Sequence, residues 1–279
     1  MDIKIVVDSS ADILKLEEVS LSVAPLKITT DTREFIDNEN LNVSEMVEFL
    51  KTYKGKSVTA CPSVGDWTAA FGQAKKIFCI TITSGLSGSY NSAMIAKQEY
   101  EEKNPDAKVF VIDSLSAGPK LKLIAQYLEK LILKGYEFEE ICEKISKYEK
   151  SIGTIFVLES LMNLANNGRV SFAKAKIAGV LGIRALGTAS EVGKIEMLDK
   201  ARGDKKAQNL VLSYLEKMNY NGNNLSISHC FNFETANRLK SLIIEKFPNA
   251  KISIQNTLGL CSFYAENKGL IIGFEKTAL

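Results

Sequence analysis

Short apolar runs alternate with amphipathic stretches along the first half of the chain. The runs are rich in β-branched and aromatic residues and end in polar turns, a pattern typical of strands that helices cover on both faces. It predicts strands over residues 3–7, 76–82 and 108–112, and helices over residues 43–53, 64–74, 89–103, 119–134 and 138–150. Because strands and helices alternate, we predict a three-layer α/β/α domain with a mainly parallel sheet.

The pattern changes after residue 151. Two strand-like runs, residues 183–189 and 194–198, flank a Glu-Val-Gly turn, and this close spacing predicts an antiparallel pair. Further strands are predicted over residues 154–158, 225–228, 251–254 and 270–274, with helices over residues 204–218 and 232–247. We therefore predict an α/β protein of two domains, residues 1–151 and residues 152–279, the second with two layers and a mixed sheet.

Composition argues against several classes of function. The 35 basic and 33 acidic residues are intermixed and give a formal charge of +2, so we expect no nucleic-acid partner. The five cysteines form no Cys-x-x-Cys pair, which predicts neither a disulfide framework nor a zinc site and fits a reducing cytoplasm. No apolar run approaches the roughly 18 residues of a membrane span, and no signal-like leader precedes the first strand. We expect a cytoplasmic protein without metal, cofactor or stable membrane insertion.

The loop after the strand at residues 76–82 concentrates hydroxyls and glycines. Residues 84–89 are Ser-Gly-Leu-Ser-Gly-Ser and lead directly into a predicted helix. In parallel sheets such loops share one edge, and the start of a helix presents unpaired N–H groups and a positive dipole end. The loop therefore either holds a carboxylate or another anion, or its serines cap the helix.

Six polar motifs of this kind follow one another along the chain. They are Asp8-Ser9-Ser10, Thr59-Ala60-Cys61-Pro62-Ser63, residues 84–90, Asp113-Ser114-Leu115-Ser116-Ala117-Gly118, Asn167-Gly168-Arg169-Val170 and Lys200-Ala201-Arg202. In composition and order they resemble the motifs of DegV proteins, and the similarity extends over nearly the whole chain.

The resemblance implies a two-domain bacterial protein that buries one long-chain fatty acid between its domains. It further implies a protein without catalytic activity of its own, which acts as a carrier or presents the acid to a separate ATP-binding subunit of a fatty acid kinase. By position, it implies that Thr59 and Ser87 hydrogen-bond the carboxylate and that Arg202 lies near the ligand head group. Ser84 and Ser10 are expected in the same region.

The C-terminal part departs from the family pattern. DegV proteins commonly carry a Gly-Thr-His-x-Gly-Pro-Gly-like motif whose histidine contacts the ligand carboxylate or supports phosphoryl transfer, whereas residues 259–269 of this chain contain no histidine. Either Tyr264 or Ser262 supplies a hydroxyl in its place, or Tyr264 is a packing residue. The predicted ligand-binding residues are thus Thr59, Ser87, Ser84, Arg202, Ser10 and Tyr264.

Two other classes of function are alternatives. Residues 85–89 approach the Gly-x-Ser-x-Gly elbow of serine hydrolases but lack its last glycine, and His229 is the one histidine that could act as base. The loop could also hold a small phosphorylated or carbonyl metabolite, yet the chain has neither a Gly-x-x-x-x-Gly-Lys-Ser/Thr motif nor a Gly-x-Gly-x-x-Gly motif. Fatty acid binding is the function that we predict.

Overall fold

A computed structural model describes residues 2–173, 175 and 182–277 of the chain. The strands are β1 (Ile3–Asp8), β2 (Leu21–Ala24), β3 (Lys27–Thr30), β4 (Glu34–Ile36), β5 (Ser57–Ala60), β6 (Lys76–Thr81), β7 (Lys108–Asp113), β8 (Ile152–Leu158), β9 (Ile183–Ala189), β10 (Ile195–Arg202), β11 (Tyr220–His229), β12 (Lys251–Asn256) and β13 (Leu270–Lys276). The helices are α1 (Val43–Thr52), α2 (Val64–Phe71), α3 (Ser89–Lys103), α4 (Pro119–Leu133), α5 (Phe138–Lys150), α6 (Met162–Asn166), α7 (Asp204–Lys217), α8 (Phe233–Lys246) and α9 (Gly259–Ala265). Within the described residues, none of these helices is both long and apolar enough to cross a bilayer.

The first part of the chain forms a four-stranded parallel sheet with helices on both faces. The strand order is β2-β1-β6-β7, and every neighbouring pair is parallel. Successive side chains of a strand point to opposite faces. Val6 and Cys79 accordingly pack with α2 and α3, whereas Val7 and Ile80 pack with α4 and α5. The predicted three-layer architecture with a parallel sheet is confirmed.

The second part of the chain forms a six-stranded mixed sheet in the order β10-β9-β8-β13-β11-β12. Strands β11 and β12 are parallel, and the other neighbours are antiparallel. Helices α7 and α8 cover one face, where Val211 and Leu239 pack with Ile155 and Ile227. The predicted mixed sheet and the predicted antiparallel pair, β9 and β10, are both confirmed.

Helix α4 lies between the two sheets. It packs against β1 and β6 of the parallel sheet and against β8, β11 and β13 of the mixed sheet. Gly273 on β13 permits this close approach, because a Cβ atom there would lie 2.8 Å from the backbone nitrogen of Lys120. The two parts of the chain therefore share one buried helical layer. The division into residues 1–151 and 152–279 stays a prediction.

The sequence pattern does not predict the small antiparallel sheet β4-β3-β5. Thr59 and Ala60, the first two residues of the polar motif at residues 59–63, are the last residues of β5. The strands are short, and contacts distant in sequence hold them: Ile28 packs with Met46 of α1 and Phe263 of α9. Strand formation that depends on such packing leaves little local signal.

Candidate functional site

A cavity of about 360 Å³ lies between the carboxyl-terminal edge of the parallel sheet and the face of the mixed sheet opposite α7 and α8. Its wall comes from the loops after β6 and β7, the end of β5, strands β8, β9 and β13, and helix α9. Helix α6 and the turn after it also contribute, as do the β9–β10 turn with Lys194 and the start of β10. Most of the side chains that line it are apolar, among them Leu26, Ile82, Leu158, Leu260 and Ile271. This size and character are typical of a site that encloses a small, largely apolar ligand.

Four polar side chains form one cluster in the cavity wall. The hydroxyls of Thr59 and Tyr264 lie 2.7 Å apart in a hydrogen bond. The Arg169 guanidinium lies 5.9 Å from the centre of the Tyr264 ring, and its Nε donates to the carbonyl oxygen of Leu86 at 3.2 Å. Ser87, the next residue in that loop, also lines the cavity. We name this set, Thr59, Ser87, Arg169 and Tyr264, the polar cluster.

Local hydrogen bonds fix the loop that carries Ser87. The N–H groups of Leu86 and Ser87 both donate to the carbonyl oxygen of Thr83, at 3.3 and 3.2 Å. The Ser87 hydroxyl oxygen accepts the N–H of Ser89, the first residue of α3, at 3.2 Å. A hydroxyl has one proton and two lone pairs, so Ser87 can support the start of the helix and still donate its proton to a ligand.

The other hydroxyls in the cavity wall bond to one another or to the backbone. Those of Ser116 and Thr154 lie 2.8 Å apart, and Thr188 donates to the carbonyl oxygen of Thr154 at 2.7 Å. Thr83 donates to the carbonyl oxygen of Gly193 at 3.0 Å. Ser116 also donates to the carbonyl oxygen of Ala117 at 3.4 Å, so both protons of the Ser116–Thr154 pair are used within the protein, whereas the bond between Thr59 and Tyr264 uses one proton of the two. The polar cluster is therefore where an anionic group would find its donors.

Three of the predicted site residues, Thr59, Ser87 and Tyr264, come together in the polar cluster. Ser262, the alternative to Tyr264, does not line the cavity, and its hydroxyl lies 2.7 Å from that of Thr257. Of the two hydroxyls near the C-terminus that the sequence offers, the structure therefore brings Tyr264 to the cavity.

The other three predicted residues lie outside the cavity wall. Ser84 is exposed. Ser10 is buried, and its hydroxyl donates to Asp8 Oδ1 at 2.5 Å. Arg202 is exposed at the far end of β10 from Ile195, which lines the cavity, and an eight-residue strand spans about 25 Å. The cavity therefore does not bring Ser84, Ser10 or Arg202 to the polar cluster, and a place for them beside a ligand head group stays a prediction.

Arg169 is the member of the polar cluster to which the sequence analysis gives no role. It lies in the turn after α6, and its backbone partner Leu86 is 83 positions earlier in the chain. The one available signal was its position in the motif at residues 167–170. No local pattern shows that this guanidinium reaches the loop after β6.

Comparison with known proteins places these features in a family. The model of the DegV family matches residues 2–276. The chain belongs to the DegV family. A DegV domain-containing protein of Streptococcus gordonii is 41% identical to it over 276 residues, which are 98% of either protein.

Two solved structures share this fold. One is a DegV family protein from Eubacterium eligens loaded with heptadecanoic acid, and the other is the Streptococcus pneumoniae Fatty Acid Kinase (Fak) B3 protein loaded with linoleic acid. Each is 41% identical to this chain with a TM-score of 0.97, and each comparison covers 99% of this chain and 100% of the other. The resemblance to DegV proteins that the motifs indicate is confirmed.

His229, the one histidine of this DegV chain, does not line the cavity. It is buried at the end of β11, and its Nδ1 accepts the N–H of Asn232 at 3.2 Å. Burial lowers the pKa of the imidazole, which favours its neutral form. Because Ser87 and His229 do not share a site, the serine hydrolase alternative lacks its general base.

Two buried aspartates hold the start of α9, the helix that carries Tyr264. Asp12 Oδ1 accepts the N–H of Leu258 at 2.8 Å, and the Asp37 carboxylate accepts the next two N–H groups at 2.7 and 2.8 Å. Burial raises the pKa of Asp12 to about 7 and that of Asp37 to about 6, and these hydrogen bonds offset only part of the lost hydration.

We predict that Asp12→Asn will reduce the pH dependence of stability. An aspartate ionises near pH 4 in an unfolded chain, whereas Asp12 ionises near pH 7 in the folded protein. Its contribution to stability is therefore complete below about pH 4 and is lost as the pH rises through 7. Through this residue the free energy of unfolding should fall by about 4 kcal/mol across the roughly three pH units of that window, at about 1.4 kcal/mol per pKa unit.

Urea unfolding at pH 5 and pH 8 measures this effect. The difference between the two pH values should shrink in Asp12→Asn and stay unchanged in Asp106→Asn, where the aspartate is exposed. An unpaired amide at position 12 would lower stability equally at both pH values and would leave the comparison intact. Identical pH dependence in the wild type and Asp12→Asn would contradict the prediction.

Proposed function

We propose that this protein binds one long-chain fatty acid in the cavity, with the carboxylate at the polar cluster and the acyl chain along the apolar wall. The observation that carries the proposal is the composition of the wall, which is mostly apolar and contains one cluster of three hydroxyls and an arginine. A complementary ligand is amphiphilic with one anionic end. The relatives that hold heptadecanoic and linoleic acid support this assignment.

In this proposal the polar cluster supplies both donors and charge. Thr59 and Tyr264 share one hydrogen bond, so one proton of that pair remains for the ligand, and Ser87 contributes another. Burial raises the pKa of Tyr264, which keeps its phenol protonated and able to donate. Tyr264 thus takes the place of the family histidine. Hydrogen bonds to a charged group contribute about 1.5–3 kcal/mol each.

The acyl chain needs no polar partner. Each buried methylene contributes about 0.8 kcal/mol, so the tail supplies most of the affinity once the carboxylate is paired. Arg169 and Lys194 both line the cavity, so the number of cations does not separate a carboxylate from a phosphate. The mostly apolar wall has no use in binding a small phosphorylated metabolite, and for this reason we do not propose a phosphorylated ligand.

We further propose that the protein acts in the cytoplasm and presents the bound carboxylate to an ATP-binding kinase subunit. The 41% identity to the Streptococcus pneumoniae Fatty Acid Kinase (Fak) B3 protein supports the kinase role. The five unpaired cysteines support a reducing compartment. Incubation with an ATP-binding subunit, ATP and a fatty acid should yield acyl phosphate only when both proteins are present. Equal product without this protein would contradict the presenting role.

The alkylation rate of Cys61 tests whether a fatty acid occupies this cavity. Cys61 is half-buried and lines the cavity, and its Sγ lies 3.3 Å from the position that a Cβ atom on Gly88 would take. Cys61 should react only in protein molecules that hold no fatty acid. A fatty acid at ten times its Kd is therefore expected to slow alkylation of Cys61 about tenfold.

Cys142 serves as the internal control, because it is half-buried but lies outside the cavity. Burial raises its pKa to about 11, so it should react slowly, at the same rate with and without fatty acid. Peptide mapping by mass spectrometry separates the two cysteines. An unchanged rate at Cys61 in saturating fatty acid would contradict the proposed site.

A further inference from the structure

Phe156 supplies an apolar aromatic ring to the cavity wall. Among the described residues that line the cavity, the other aromatic ring is that of Tyr264, in the polar cluster. Phe156 lies on β8 with only 8% of its surface exposed. Its register partners are Gly187 on β9 and Ile271 on β13, so one side of the ring meets a residue without a side chain.

The Phe156 ring occupies the space that a side chain at position 187 would take. A Cβ atom on Gly187 would lie 2.1 Å from Cζ of Phe156 and 2.5 Å from its Cε2. Carbon atoms pack at about 3.5–4 Å, so even alanine at this position would force the ring to move. Ile271 borders the ring on the other side, and Leu164 and Ala165 pack in the same apolar cluster. Because Phe156 also lines the cavity, a ring displaced from Gly187 can move into that space.

We propose that Gly187 holds the Phe156 ring against β9 and thereby sets the width of the cavity, so that this pair determines which acyl chains fit. The inference rests on the proposed function, since it concerns the selectivity of the same site. A cis double bond bends an acyl chain and widens the space that it sweeps, whereas a saturated chain can remain straight. With its ring against β9, Phe156 leaves room for a bent chain, so the cavity should favour unsaturated acids.

Competition between linoleic and stearic acid tests this inference. The purified protein is stripped of lipid and equilibrated with an equimolar mixture, and the bound acids are extracted and quantified by mass spectrometry. In Gly187→Ala the ratio of bound linoleic to stearic acid should fall about tenfold, the size of effect that small steric changes produce in apolar pockets. Phe156→Leu should raise the ratio above that of the wild type, and the double variant should recover at least the wild-type ratio.

Gly153→Ala is the matched control. Gly153 also lies on β8 and accommodates a ring in the same way, since a Cβ atom there would lie 2.4 Å from Cζ of Phe274. Phe274 lies in the core under α7 and α8, away from the cavity. This variant should lose stability without a change in the ratio of bound acids.

The outcomes separate this inference from the proposed function. A Cβ atom on Gly187 would also lie 2.6 Å from the carbonyl oxygen of Glu196, so if Gly187→Ala does not fold, Phe156→Leu decides. An unchanged ratio in Phe156→Leu overturns the inference while fatty acid binding stands. A wild-type protein that takes up neither acid overturns the proposed function itself.

Discussion

Replacing Arg169 by glutamine should lower the affinity for a fatty acid by at least about 30-fold, the largest loss that we expect from a single substitution in the cavity wall. Removing one partner of a buried charge pair costs about 2–5 kcal/mol, because the other charge is left without compensation, and 2 kcal/mol is about 30-fold. Arg169 is half-buried and is the arginine in the polar cluster. Titration of the stripped protein with oleic acid in a calorimeter measures the change.

Arg202→Gln is the matched control for Arg169→Gln. Both substitutions remove one guanidinium, but Arg202 is exposed at the far end of β10 and outside the cavity wall. Its affinity for fatty acid should therefore equal that of the wild type. A large loss in Arg202→Gln together with unchanged affinity in Arg169→Gln would contradict the site and restore the placement that the sequence alone suggested.

Replacing Glu149 by methionine should destabilise the fold by about 3–5 kcal/mol. Lys120 of α4 and Glu149 of α5 form an ion pair at 3.0 Å, and their side chains are only 8% and 11% exposed. Burial lowers the pKa of Lys120, and Glu149 counteracts this effect. Without Glu149 the ammonium is either left buried and unpaired or must lose its proton, and both are costly. Since α4 lies between the two sheets, the loss should affect the whole fold.

The double variant Lys120→Met with Glu149→Met should recover most of that loss, because two apolar side chains of similar size can replace a buried ion pair. Glu216→Met provides the exposed control. Glu216 pairs with Lys246 at 2.6 Å, but the two side chains are 51% and 38% exposed, so its removal should cost less than about 1 kcal/mol. Urea unfolding measures all four proteins. Equal losses of stability in Glu149→Met and Glu216→Met would contradict the prediction that breaking a buried ion pair costs more than breaking an exposed one.

Local patterns predicted the parts of the fold that depend on local physics. The β1 and β6 strands are continuous apolar runs because helices cover both faces of their sheet, and such runs can be recognised in a sequence. Helix α3 was predicted with both of its ends correct. The short strand β3 was missed, since its burial depends on α1 and α9, which lie far away in the chain.

The site was only partly predictable for a related reason. Motif order identified the loop of Ser87 and the strand end of Thr59, both of which line the cavity. Motif order does not reveal which end of a strand faces a cavity, and Arg202 lies at the end of β10 that is outside the cavity wall. The role of Arg169 could not be predicted from the sequence, because its partner Leu86 becomes a neighbour only through the packing of the two sheets.

Mass spectrometry of the purified protein, under native conditions and after denaturing extraction, tests the central proposal most directly. We expect one fatty acid per chain, released by denaturation and replaced by added fatty acid after stripping, with Arg169→Gln retaining far less than the wild type. A protein that carries no lipid and takes up none from an excess of fatty acid would contradict the proposal that this cavity is a fatty acid site.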